Sequence, residues 1–154
     1  MNVLKDFFQT STNVKFNPKI FETLTTIAHD ISGDGRTRVA SAVVHRHRNI
    51  VSVGVNSRHS HPFQLRYGRN QDSIYWHAET HAIYNALRRE PISTLEKCSL
   101  YIVRLKKPFP KSKSWIPGMT RPCAGCESCI RAHGIESVIY TTDTCIIEEK
   151  FSCN

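Results

Sequence analysis

Apolar positions recur along the chain at two periods, and the switches between them lay out its elements. Ile20, Phe21, Leu24, Ile27, Ala28 and Ile31 fall on one helical stripe, opened by Asn17-Pro18 and closed by Ser32-Gly33-Asp34-Gly35. Two β-rich runs follow, Val39 to His45 and Ile50 to Val55, and the polar turn Arg46-His47-Arg48-Asn49 between them predicts a hairpin. Asn56 to Ser73 has no period; it is polar, rich in His and Arg, and long for a compact domain, so it reads as functional or as an insertion. A second helix is predicted from about Tyr75 to Arg89, with Ala82, Ile83, Ala86 and Leu87 inward and Pro91 stopping it. Ser99 to Leu105 is a strand, Lys106 to Arg121 a long loop, and a third helix runs from near Pro122 to Gly134. Glu136 to Thr142 is a further strand, and Cys145 to Phe151 is an edge strand or a short helix. Strands separated by helices predict a mixed sheet with parallel neighbours and helices over its faces.

Length changes this picture little. The 154 residues suit one domain spanning the chain. Residues 1–17 form an extension whose Leu4, Phe7 and Phe8 could dock on the domain or on a second subunit. Met1 to Lys15 lacks the charged start and apolar run of a signal peptide, and no apolar stretch reaches the ~20 residues of a membrane helix. The expectation is a cytoplasmic protein with no membrane partner. Its six cysteines then read as thiols or metal ligands rather than disulfides.

The net charge of +8 predicts an anionic partner. The cations are scattered from Arg36 to Lys113 without the block of like charge that marks a nucleic-acid tail. A phosphorylated small molecule and a nucleic acid both satisfy that charge.

The candidate chemistry lies in two short motifs, His77-Ala78-Glu79 and Pro122-Cys123-Ala124-Gly125-Cys126, each at a predicted helix start. The i, i+3 spacing puts Cys123 and Cys126 on one helix face, and the positive helix end favours thiolates, the metal-binding form. Two thiolates and the His77 imidazole are three ligands that tetrahedral zinc prefers, leaving a fourth position for water, as in catalytic sites. Glu79 follows His77 too closely to be another ligand without strain, but it can reach a zinc-bound water and move its proton. Hydrolytic deamination needs those steps, and the two motifs in this order match the zinc-deaminase signature.

At these residues the chain resembles the cytidine and deoxycytidylate deaminase superfamily over roughly Gly33 to Thr142. Thr37-Arg38-Val39-Ala40-Ser41-Ala42-Val43-Val44 is similar to the first strand of deoxycytidylate deaminases, and Gly54-Val55-Asn56 to their Gly-Tyr-Asn. Ile139-Tyr140-Thr141-Thr142 is similar to the strand after the cysteine helix. Asn56 to Glu79, with His61-Pro62-Phe63-Gln64 inside it, resembles small deaminases of phages and bacteria. The resemblance implies a three-layer α/β/α sandwich on a five-stranded mixed sheet, bound zinc, and a homo-oligomer. It also implies a sugar contact from Asn56 and a substrate site bordered by Thr37, Val39, Ala78 and Pro122. Two positions depart from the pattern: His81 stands where deoxycytidylate deaminases usually have Asn, and Ala40 where they have Gly. Both leave the metal ligands intact.

Arg58, Arg66 and Arg69, close in sequence to Asn56, are the candidate phosphate clamp, because arginine forks match phosphate oxygens. Cys129, one turn beyond Cys126, reads as a buried thiol. His81 reads as a packing or pocket-rim residue, since a metalloprotease pair would need Glu directly after the first His. His59, His61, Cys145 and Cys153 fit no finger spacing and read as loop histidines and buried thiols. Trp115 either stacks on a base or anchors its loop. The leading expectation is deamination of dCMP to dUMP. Its rivals are a free cytidine or deoxycytidine deaminase, an enzyme acting on adenosine or cytidine within RNA or single-stranded DNA, and a zinc-stabilised binding module.

Overall fold

The computed structural model describes residues 14–31, 37–68, 74–89 and 95–151. Leu4, Phe7, Phe8, the Ser32–Gly35 turn, Arg69, Pro91 and Cys153 lie outside them.

Helix α1, Pro18–His29, starts where Asn17 caps it: the Asn17 side chain accepts from the Lys19 amide at 3.1 Å, and Pro18 fills the first turn. Its buried side chains Ile20, Phe21, Leu24 and Ala28 cover one face of the sheet, against Ala40, Ala42, Val44, Tyr101, Val103 and Ile139. Tyr101 is buried there with its hydroxyl 2.7 Å from His47 Nδ1 and accepting from the Asn17 amide at 3.1 Å. Burial pushes its phenol up to about 12.

Strands β1 (Thr37–His45) and β2 (Asn49–Val55) form the predicted hairpin. Arg46 and His47 sit at φ 51° and 58°, the double left-handed turn that matches strand twist. Asn49, read as part of the turn, opens β2 instead.

Four strands follow: β3 (Cys98–Lys106), the two-residue β4 (Ile116–Pro117), β5 (Ser137–Thr141) and β6 (Ile146–Lys150). The sheet order is β2-β1-β3-β5-β6, with β4 paired to the end of β3. The parallel neighbours are β3 and β5; the other pairs are antiparallel. The sheet is thus the expected mixed one, with β4 as a sixth strand, and the C-terminal run is a strand.

The second face carries α2 (Pro62–Leu65), α3 (Ala78–Arg89) and α4 (Ala124–Ala132). Ala82, Ile83, Ala86, Cys129 and Ile130 pack there on Val43, Leu100, Ile102 and Val138, giving three layers. Helix α3 lies unusually close to β2. A Cβ on Gly54 would come within 2.3 Å of the Ala82 amide and 2.5 Å of the Ala78 carbonyl oxygen, so only glycine fits. Sheet side chains hold the helix there: Ser41 donates to the Ala78 carbonyl at 3.0 Å and Ser52 to the Ala82 carbonyl at 2.6 Å. In the other direction, Asn85 donates to the Val53 carbonyl at 2.8 Å.

Helix α3 begins three residues later than its apolar pattern predicts. Tyr75 bridges to Ser60, the Trp76 amide donates to the His59 carbonyl at 3.0 Å, and the Trp76 carbonyl accepts from Ser57 at 2.9 Å. Those backbone groups are spent on an extended pairing and cannot enter the helix. Among the described residues no helix is long and apolar enough to cross a membrane.

Candidate metal centre

The late start of α3 puts His77 at the residue before its first turn and Glu79 inside that turn. The second motif is arranged in the same way. Cys123 is the N-cap of α4, its sulfur accepting from the Cys126 amide at 3.5 Å, and Cys126 lies in the first turn. Two helix N-termini therefore converge, and both bring positive backbone dipoles to anionic sulfurs.

His77 Nδ1 lies 3.6 Å from Cys123 Sγ and 3.3 Å from Cys126 Sγ, and the three ligand atoms all fall within 4.8 Å of one another. Zinc with bonds of about 2.3 Å to sulfur and about 2.0–2.1 Å to nitrogen, at tetrahedral angles, would space N and S about 3.6 Å apart. The donor set and its spacing fit that ion, bound through Nδ1. Left to one another, the two thiols share a proton. Cys123 is held down to about 4, first by the bond from the Cys126 thiol and then by His77, against burial. Cys126 is pushed well above the usual thiol value by the same bond and by burial. Zinc binding displaces the shared proton and uses both sulfurs as thiolates.

Glu79 is buried, with 6% of its surface exposed. Burial raises its carboxyl above the usual value and the Cys123 charge adds to this, while His77 and the Glu79 backbone amide pull it down. A buried acid with raised proton affinity thus sits beside three metal ligands.

The structure distributes the remaining expected residues unevenly. Asn56 ties the start of β1 to the end of β2: Oδ1 accepts from the Val39 amide at 2.9 Å, and Nδ2 donates to the Thr37 carbonyl at 3.2 Å. Ala78 and Pro122, next in sequence to His77 and Cys123, are buried. Arg58 and Arg66 are exposed on the segment before α3. That segment reaches α4, because the Tyr67 carbonyl oxygen lies 2.3 Å from where a Cβ on Gly125 would stand.

Other readings are resolved by packing. Cys129 is fully buried, burial pushes its thiol up to about 12, and its sulfur faces His133 Nδ1 at 3.8 Å. His81 Nδ1 lies 3.1 Å from the Val55 amide and 3.2 Å from its carbonyl oxygen, fastening α3 to β2. Burial lowers the His81 pKa. Trp115 anchors its loop on the α1 face, with the Arg38 guanidinium 4.1 Å from its ring centroid and Lys107 at 5.3 Å. His61 stacks on Trp76 at 3.9 Å, and among the described residues the metal-ligand cluster is His77, Cys123 and Cys126.

Two residues near the site escaped the sequence reading. Gln64, on α2, is fully buried and bonds the His77 backbone. Arg104, on β3, lies opposite Val39 and donates to the Met119 carbonyl at 2.8 Å and to the Thr37 hydroxyl at 3.5 Å. A cation at the end of an otherwise apolar run was the available signal for Arg104; Gln64 gave none.

The family model of the cytidine and deoxycytidylate deaminase zinc-binding region matches residues 15–142, which hold both motifs and the elements from α1 to β5. A search of curated proteins returned no match. With that match across most of its length and a His-Cys-Cys ligand set whose spacing fits zinc, the chain belongs to the cytidine and deoxycytidylate deaminase family of zinc-dependent hydrolytic deaminases.

Proposed function

We propose that the protein deaminates a cytosine mononucleotide, converting dCMP to dUMP with release of ammonia. The observation that carries the reading is the buried Glu79 carboxyl in the first turn of α3, two residues after His77, which clusters with Cys123 and Cys126 of α4 as a zinc-ligand triad. Two further features support a small phosphorylated substrate over a nucleic acid. The segment from Asn56 to Gly68 reaches the first turn of α4 at Gly125, next to Cys126, and is assigned to bordering the approach to the ligands. The net charge of +8 supplies a field for a dianion without a contiguous basic block.

His77, Cys123 and Cys126 would hold the zinc, which supplies Lewis acidity that makes a water acidic near neutral pH. Glu79 takes one proton from the attacking water and places it on the ring nitrogen beside the reacting carbon. It then carries the second proton to the amino group. A carbon–oxygen bond forms, the carbon–nitrogen bond breaks, and one water is consumed for each ammonia released. The raised proton affinity of the buried carboxyl suits a group that must hold a proton between two transfers. Asn56 borders the sugar, with Thr37, Val39, Ala78 and Pro122 lining the approach.

Arg58, Arg66 and Arg69 are assigned to the phosphate. A charge-assisted hydrogen bond contributes roughly 1.5–3 kcal/mol, so losing the right arginine weakens dCMP about ten- to a hundredfold. Deoxycytidine has no phosphate and loses nothing. Steady-state kinetics of Arg58→Ala, Arg66→Ala and Arg69→Ala on both substrates test this: at least one variant should raise KM for dCMP alone. Equal turnover of dCMP and deoxycytidine by the parent would remove the clamp. A strong preference for a cytosine-containing oligonucleotide, with affinity falling steeply as salt rises, would replace the mononucleotide with a nucleic acid.

A further inference from the structure

We infer that Gln64 is a positioning residue for the zinc ligand His77, supplying from a separate helix the cap that α3 cannot give itself. The inference rests on the zinc-site reading and not on the identity of the substrate.

A helix leaves its first amides without partners, and the usual remedy is reciprocal. The N-cap side chain accepts from an amide in the first turn, and a Glu or Gln at the third helical position reaches back to the N-cap amide. In α3 each of those positions is committed elsewhere. The N-cap is His77, whose Nδ1 is turned to the sulfurs of Cys123 and Cys126. The second helical position is Glu79, buried beside the triad. The third is Thr80, whose short side chain donates rather than accepts.

Gln64 fills the gap. Its Oε1 accepts from the His77 amide at 3.1 Å and from the Thr80 hydroxyl, joining the N-cap and the third position through one oxygen. Thr80 also lies 3.1 Å from the His77 carbonyl oxygen, so the three residues close a ring around the start of the helix.

The placement of Gln64 is itself secured. His61 caps α2 by accepting the Phe63 amide at 3.1 Å, and the Tyr67 amide donates to the Gln64 carbonyl at 3.1 Å. Phe63 is buried in the second-face core, with ring centroids 5.5 Å from both Tyr67 and Tyr84. Gln64 is fully buried, and among the described residues its buried Nε2 has no hydrogen-bond partner. A buried amide with an idle donor costs stability, and an apolar side chain would avoid that cost. What such a side chain could not do is accept the His77 amide, so the benefit of the amide lies in orienting the ligand.

The test is zinc affinity, read by competition with a chromophoric chelator, for the full chain, Gln64→Leu and Gln64→Glu. The visible spectrum of each protein loaded with cobalt(II) is recorded alongside. Gln64→Leu should bind zinc at least about tenfold more weakly, the scale on which groups that orient metal ligands act. Its cobalt bands should shift, because His77 is no longer held in one orientation. Gln64→Glu, which keeps an oxygen acceptor for the His77 amide at the same place, should return to within about threefold of the parent affinity. Should Gln64→Leu fail to fold, Gln64→Met takes its place with the same expectations. Parent-like affinity and spectrum in the apolar variant would overturn the inference, as would a Gln64→Glu protein as weak as the apolar one. Neither reading uses substrate, so the result stands whether or not dCMP is turned over.

Discussion

Glu79→Gln is expected to turn over its substrate at least ~10²–10⁴-fold more slowly than the parent while keeping a full complement of zinc. The two halves of that result come from separate features. Glutamine has nearly the shape of glutamate, so the buried space in the first turn of α3 remains filled. None of the three metal ligands is changed, and zinc content by metal analysis should match the parent. What disappears is the ability to accept a proton from water and return it to the substrate. The loss should appear in kcat, with KM little altered, because the carboxyl acts on the reacting atoms rather than on the phosphate or sugar. A Glu79→Gln protein with near-normal kcat would mean that another group moves the protons.

The other large effect belongs to Cys126. Cys126→Ala removes a zinc ligand, and it also removes the thiol whose bond is the main cause holding Cys123 down to about 4. The remaining pair of His77 and Cys123 is a poor zinc site, so the purified variant should carry little metal and show no turnover. Stability should fall too. If the parent is at a zinc concentration about 1,000 times its Kd, binding contributes about 4 kcal/mol, and its loss lowers Tm by roughly 8–16 °C for a domain of this size. Metal analysis and thermal unfolding, with and without added zinc, check both parts. The parent's Tm should respond to zinc and the variant's should not.

How far the sequence foretold these features depended on how local their causes were. Each chemical motif fits within a few residues, and its meaning lies in spacing, so His77, Cys123 and Cys126 converge as expected. The core stripe of α1 and the hairpin of β1 and β2 were legible for the same reason: period and turn chemistry are local signals. The start of α3 was not. Tyr75 and Trp76 extend the helical pattern, but residues 57–60 claim their backbone, and that pairing depends on the path of the intervening chain. Gln64 was hidden for a related reason. A glutamine in a polar stretch looks like a solvated loop residue, and only the docking of Phe63 into the core draws it inside. The two residues of β4 are too few to show a period at all. His81 illustrates a middle case. Its spacing put it on the same helix face as His77, and the fold then spends its Nδ1 on the Val55 backbone.

The central claim is zinc-dependent hydrolytic removal of an amino group from a cytosine mononucleotide. Its most direct test is product analysis after incubating the purified protein with dCMP, deoxycytidine, adenine and guanine nucleotides, and a cytosine-containing oligonucleotide. Each reaction is run as purified, after chelation, and after zinc is restored. The expected result is dUMP and ammonia in equal amounts from dCMP, lost on chelation and recovered with zinc, with the other substrates far slower. A protein that carries its zinc and releases ammonia from none of them, or that keeps its activity after the zinc has been stripped, would contradict the account.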